Sequence, residues 1–364
     1  MNYLHALLVG LLCCTCPDSY LVAQRTENVI VVSMDGLRWQ ELFGGAVDSM
    51  IDNEALTAGQ DRMRSEYLAP TREERRHRLM PFFWDSIAVN GQVFGDRETG
   101  NLVNCRNPYW FSYPGYNEIL TGVADPYVDS NDKRWNENVT VLEWLNEQPG
   151  YRGKVAAFAS WDVFDWIINE KRSGIPVNSG YNPAEGTIGE REAYLNKLQQ
   201  QATRLWESVR PDYLTHNFMM AYLEREHPRV VYISYGETDD FAHEGSYNHY
   251  LDAAHATDAM WRELWTFLQQ DEQYRGKTSI VFTTDHGRGD SPMTSWRGHG
   301  TEYRGSDAIW IAVIGPDTPK RGRVTEAAQL YQNQIARSVA ALLGLDYGGP
   351  ENQAGQLLPG IPNP

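Results

Sequence analysis

Four short apolar runs rich in β-branched residues constrain the fold of this chain more than anything else in it. They are Asn28 to Met34 (NVIVVSM), Val230 to Ser234 (VVYIS), Thr278 to Thr284 (TSIVFTT) and Ala308 to Ile314 (AIWIAVI). Each is continuous rather than alternating, the pattern of a strand buried on both faces. Helical periods lie between them, including Tyr247 to Gln270 and Ala327 to Leu343. Buried strands alternating with helices predict an α/β fold, with a mainly parallel central sheet and helices on both faces. Residues 124–228 are more polar and rich in Trp, Asn and Glu. They read as a helical lid excursion within one domain spanning 24–364. The Gly/Pro-rich tail from Gly348 to Pro364 reads as a surface wrap.

The N-terminal residues 1–23 read as a signal peptide. The apolar run Ala6 to Cys14 is too short to span a bilayer, and small Ala23 precedes Gln24. The expectation is an exported protein, periplasmic or secreted, with no membrane span in the mature chain. Cleavage would remove Cys13, Cys14 and Cys16, so Cys105 would stand alone without a disulfide partner. Cys14-Thr15-Cys16 lacks the small residue that precedes a lipidated cysteine.

Charge narrows the partners. Lys and Arg number 32 against 48 Asp and Glu, a net charge of −16, which excludes a binder of the nucleic-acid backbone. Such a chain takes an anion only through metal ions or a local basic pocket. In open α/β sheets ligands collect beyond the carboxyl ends of the strands, and the chemistry-bearing residues fall there. Asp35 closes the first run. Asp239 and His243 follow the second, four residues apart and so on one helical face. Asp285-His286 follows the third, and His299 lies between Gly298 and Gly300. A lone strand-end Asp is ordinarily a cap or turn former; the ordered set of O and N donors instead suits two divalent cations. Zinc fits these donors best, with manganese the alternative.

Ser112 supplies a nucleophile. It precedes Pro114-Gly115 and a short helical period, which places it at a helix N-terminus that favours an anion. Beside a cation its oxygen is activated without a dedicated base. The plainer reading makes it an N-cap.

In order, Asp35, Ser112-x-Pro114, Asp239-xxx-His243, Asp285-His286-Gly287 and His299 resemble the alkaline phosphatase superfamily, over nearly the whole expected mature chain, from Ile30 to Pro316. Ser112 to Gly122 is similar to the Thr-Phe-Pro-Asn segment of nucleotide pyrophosphatase/phosphodiesterases, with Ser in place of Thr. The resemblance implies an alkaline-phosphatase-like fold. It implies one zinc on Asp239, His243 and His299, and another on Asp35, Asp285 and His286 together with the Ser112 oxygen. It also implies attack by Ser112 on phosphorus and a phosphoseryl intermediate.

Departures narrow the reaction. Sulfatases of the superfamily require C/S-x-P-x-R, and Tyr116 stands where that Arg would be. The Glu of a third, magnesium site is replaced by Ser234. Phosphoglycerate mutases share the ligand order and a short gap before the last His, but carry an inserted domain for which 364 residues leave no room. The expected activity is a two-zinc phosphoric ester hydrolase acting on a small-molecule phosphate ester, leaning to monoesters. A doubly charged terminal phosphate rewards polar and cationic side chains beyond the metals. Candidates for that role are Asn131, Lys133, Arg288 and Arg297, with Lys171 and Arg172 behind them. The alternatives are a phosphodiesterase or nucleotide pyrophosphatase, a phosphoglycerate-mutase-like enzyme, and a catalytically inactive exported metal-binding protein.

Overall fold

In the computed structural model, which describes residues 25–364, the first apolar run is β1 (Asn28–Met34), buried along its whole length. The expected signal peptide lies outside the described residues. The other strands are β2 (Gly91–Phe94), β3 (Asn101–Asn104), β4 (Val155–Ala159), β5 (Val177–Ser179), β6 (Val230–Tyr235), β7 (Thr278–Thr283), β8 (Ala308–Ile309), β9 (Ile311–Ile314), β10 (Gly322–Arg323) and β11 (Ala328–Tyr331). Eight of them form one sheet in the order β10-β2-β9-β7-β1-β6-β4-β5, and β11-β3-β8 form a small second sheet. β1 lies between β6 and β7 and is parallel to both, with Val31 opposite Tyr232 and Val281. β9 runs against both of its neighbours.

Alternate residues of each central strand feed two separate cores. Ile30, Val32, Ile233 and Phe282 face one side, where they pack with α2 (Asp212–Glu226) and α4 (Tyr247–Gln270) through Phe218, Leu251, Trp261 and Leu264. Val29, Val31, Tyr232 and Val281 face the other, against α1 (Ser112–Thr121) and α5 (Ile335–Leu342) through Tyr116, Ile119 and Val339. Between α2 and α4 comes the short α3 (Glu237–Glu244), directly after β6. Burial on both faces removes the alternation that a half-exposed strand would show. Among the described residues, no helix is long and apolar enough to cross a membrane.

Three expectations need correcting. The segment 124–228 is not a helical excursion alone: besides its helices it supplies β4 and β5 to the main sheet, and β4 (VAAFA) is buried throughout beside β6. Five apolar residues inside a polar stretch were outweighed by the composition around them. Ala308 to Ile314 is two strands, because Trp310 turns inward to donate from Nε1 to the Leu37 carbonyl (2.9 Å). Ala327 to Leu343 begins as β11, paired in parallel with β3, passes through a 3-10 turn at Gln332–Gln334, and becomes α-helical only at Ile335. Tertiary pairing overrides local helical periodicity there. The tail does wrap the surface, and buries Leu358 and Ile361 as it does so.

Candidate active site

The carboxyl ends of β1, β6 and β7 converge. Asp35 follows β1, and Gly36 takes the left-handed turn after it (φ +61°). A Cβ on Gly36 would lie 2.8 Å from both Arg288 Nη1 and Asp239 Oδ1, so the close approach of three segments requires glycine. Thr238 Oγ1 donates to the Asp35 carbonyl (2.5 Å), and the Gly36 N–H donates to Asp285 Oδ1 (3.1 Å). The N-terminus of α3 is held by Asp212, whose carboxylate accepts from the N–H groups of Gly236 (2.7 Å) and Glu237 (3.1 Å) and from Ser160 Oγ (2.6 Å). An acid there complements the helix dipole and fixes the helix that carries Asp239 and His243.

The six sequence-predicted ligands fall into two trios, Asp35/Asp285/His286 and Asp239/His243/His299, each with its donor atoms within 4.8 Å of one another. In the first, His286 Nε2 lies 3.3 Å from Asp35 Oδ1 and 3.3 Å from Asp285 Oδ2. Those two oxygens are buried and have no hydrogen-bond partner. In the second, His243 Nε2 lies 3.0 Å from His299 Nε2 and 3.0 Å from Asp239 Oδ2. The His286 and His299 rings stack at 3.9 Å, setting the trios side by side.

This donor set fits divalent cations. Two orphaned carboxylate oxygens in a buried pocket are costly unless a cation meets them. The electrostatics say the same. Burial and the neighbouring Asp35 hold the Asp285 carboxyl well above the usual carboxylate range. Burial opposes the imidazolium of His286, yet Asp285 and Asp35 carry its pKa up to about 9. The pocket draws in positive charge, which metal ions would provide.

Ser112 opens α1, is 5% exposed, and its Oγ lies 3.4 Å from His286 Nε2. The chain reaches it through Trp110, which has a left-handed backbone (φ 55°). Asn107 Oδ1 braces that turn by accepting from the N–H groups of Tyr109 (3.1 Å) and Trp110 (2.9 Å). Asn107 is itself tied to α1 by Glu118, which accepts from its N–H (2.8 Å) and Nδ2 (2.9 Å). A cleft of about 140 Å³ exposes Ser112, Asp35, Asp239, His243 and His299, walled by Asn131, Trp161, Ser208 and Asp240. A larger cleft of about 600 Å³ beside β5 contains neither trio nor Ser112.

The sequence model of type I phosphodiesterase / nucleotide pyrophosphatase matches residues 115–304, just over half of the chain. The chain belongs to that family. No curated protein sequence matches it. Its fold is alkaline-phosphatase-like. Wild-type alkaline phosphatase PafA superposes with a TM-score of 0.58 at 10% identity, covering 93% of this chain and 99% of that one. Ps i-CgsB, solved with k-i-k-neocarrahexaose, gives 0.54 at 17% identity over 91% and 75%. The phosphonate monoester hydrolase of Agrobacterium radiobacter gives 0.52 at 15% identity over 92% and 77%. At these identities the likeness is one of fold.

In this phosphodiesterase-family chain the expected substrate-binding cations lie elsewhere. Lys133 Nζ donates to Asp162 Oδ2 (2.8 Å), and Lys171 sits over the Trp135 ring at 4.4 Å. Arg172 is forked onto Glu143, with two contacts of 2.8 Å. Arg297 donates to the carbonyls of His243 (3.3 Å) and Glu244 (3.1 Å) at the end of α3. Arg288 is buried behind Asp239, ion-paired with its Oδ1, and donates to the carbonyls of Trp296 (2.6 Å) and Arg297 (2.5 Å). Lys133 and the three arginines are committed to protein acceptors and Lys171 to an aromatic ring, the arginines in part because irregular loops leave carbonyls that a guanidinium satisfies. Of the substrate-binding candidates only Asn131 walls the cleft, where its Oδ1 accepts from the Tyr113 N–H (2.9 Å).

Sequence reasoning missed Tyr116 as a partner of the ligands. Its hydroxyl donates to Asp35 Oδ2 (2.7 Å) and accepts from Ser234 Oγ (3.1 Å). The signal was available: Tyr116 lies four residues after Ser112, one helical turn along the same face. Asp212 and Asp240 carried no such signal, since β4, β6 and α3 must assemble before either acid reaches the site.

Proposed function

We propose that this chain is an exported, metal-dependent phosphodiesterase that uses Ser112 as its nucleophile. The observation that carries the reading is the serine at the start of α1, 3.4 Å from His286 Nε2 and beside two orphaned carboxylate oxygens. Asp35, Asp285 and His286 would hold one divalent cation and Asp239, His243 and His299 the other, with zinc the ion these donors suit best. Bound there, such ions supply Lewis-acid stabilisation of charge on the attacking and leaving oxygens. Ser112 Oγ forms its bond to phosphorus as the bond to the leaving alcohol breaks. Water then cleaves the Oγ–P bond and releases a phosphate monoester. The dipole at the N-terminus of α1 favours the phosphoryl anion there. Asn131, with Oδ1 already engaged by Tyr113, offers its Nδ2 to a non-bridging oxygen.

The preference for a diester comes from the cleft wall. A monoester dianion needs a charge-bearing donor beyond the metals. Among the described residues that line the cleft there is no Lys or Arg. A diester carries one charge fewer and presents an esterified oxygen instead. The monoester preference expected from sequence relied on Asn131 together with at least one of Lys133, Lys171, Arg172, Arg288 and Arg297; Asn131 lines the cleft, and the five cations are engaged elsewhere. The test is one zinc-supplemented preparation assayed on bis(p-nitrophenyl) phosphate, p-nitrophenyl phosphate and p-nitrophenyl sulfate. The diester should lead the monoester in kcat/KM by about tenfold or more, the size of one missing charge-assisted contact. A monoester or sulfate preference would overturn the assignment. Export is checked by fractionation and N-terminal sequencing, with cleavage after Ala23 expected.

A further inference from the structure

The two trios differ in charge, and Arg288 makes the difference. The inner trio, Asp35, Asp285 and His286, is buried throughout and contains two carboxylates. Among the described residues, no Lys or Arg is ion-paired with either of them. Asp35 Oδ2 takes a neutral phenol hydroxyl and Asp285 Oδ1 a backbone N–H. The outer trio has a single carboxylate, Asp239, and its Oδ1 is already paired with the guanidinium of Arg288. Its His243 is half-exposed, so an ion there also meets solvent.

Arg288 is fixed in this position. Its side chain has no exposed surface. Nε is held by the Trp296 carbonyl (2.6 Å) and Nη2 by the Arg297 carbonyl (2.5 Å), on the turn that leads to His299. Gly36 leaves just enough room for Nη1. With an ion in place and the imidazoles neutral, the inner trio presents two carboxylates that no Lys or Arg faces among the described residues. The outer trio presents none, because the arginine offsets its single carboxylate.

We propose that Arg288 makes the outer trio the weaker of two metal sites, so that its ion exchanges with the surroundings and activity follows free metal. The inference rests on the reading of both trios as metal sites. A divalent cation gains less from a carboxylate that already faces a fixed cation, and a partner of a metal ligand typically changes affinity about 10–100-fold. The outer ion is then lost first when a chelator competes.

The test uses the zinc-loaded enzyme, dialysed against buffers of decreasing free zinc, with metal per chain and diester turnover measured on the same samples. Two steps are expected, separated by about 100-fold in free zinc, with turnover falling at the higher step. His299→Ala should erase the higher step and keep the lower one. Arg288→Gln should shift the higher step about tenfold toward lower zinc, as Asp239 regains its full charge, while Arg288→Lys should leave it in place. Simultaneous loss of both ions in the wild type, or a higher step that survives His299→Ala, would overturn the proposal. So would an Arg288→Gln step that stays put or moves to higher zinc. Fewer than one ion per chain at saturating zinc would instead sink the metal reading beneath it.

Discussion

Ser112, Asp35 and Tyr116 show how single side chains set this site. Asp35 has one oxygen with no partner, next to His286, and one oxygen held by the Tyr116 hydroxyl. The tyrosine therefore chooses which oxygen faces the other ligands. Tyr116→Phe keeps the ring packed against Phe164 (4.6 Å) but removes that donor. It should lower zinc affinity at the inner trio by about tenfold or more and cost about 1–3 kcal/mol of stability, because buried Asp35 Oδ2 and Ser234 Oγ lose their partner. Zinc-buffer titration alongside a melting curve checks this, and unchanged affinity would show the contact to be incidental. At this scale the two clusters of candidate ligands were legible because a strand-end carboxylate or imidazole keeps its meaning in any α/β sheet. Arg288 was not. A guanidinium has several donors, and which carbonyls it meets depends on the 293–297 turn, which no local pattern announces.

Helix α1 carries a conflict that only packing explains. Gly115 sits in its first turns, where glycine costs about 1 kcal/mol relative to alanine. A Cβ there would lie 2.4 Å from the Asp285 carbonyl oxygen, so the helix lies directly against the strand end that bears two ligands. Gly115→Ala should therefore destabilise by about 1–3 kcal/mol despite its better helix propensity, and should cost activity as well. Urea unfolding gives the sign, and a stabilised variant would mean that the helix packs more loosely than described. The same competition explains the misread elements. Residues 327–343 have helical periodicity, but Ala328 to Tyr331 pair with β3. Trp310 divides one apparent strand between two sheets, and nothing in AIWIAVI marks that break.

Across the whole molecule, continuous apolar runs fix the centre of the sheet and polar sequence hides its edge. β1, β6 and β7 were legible because burial on both faces leaves no alternation, and each delivers its ligands from the carboxyl end. β4 and β5, inside the polar segment, were not, and with them went the wall formed by Trp161. The proposed substrate choice rests on that wall, which is why the candidate nucleophile and ligands were readable from sequence while the proposed preference for a diester was not. The net charge of −16 adds to this, since no surplus of cations lies in the cleft to replace the committed arginines. The central claim is covalent catalysis by Ser112, and it has one direct test. Wild-type enzyme is mixed with bis(p-nitrophenyl) phosphate, quenched in acid at short times, digested, and the peptide containing Ser112 is weighed. The account predicts a nitrophenyl-phosphoryl adduct on Ser112 that forms and decays with turnover, and its absence from Ser112→Ala along with nearly all activity. Rapid turnover without an adduct, or near-normal turnover by Ser112→Ala, would contradict it.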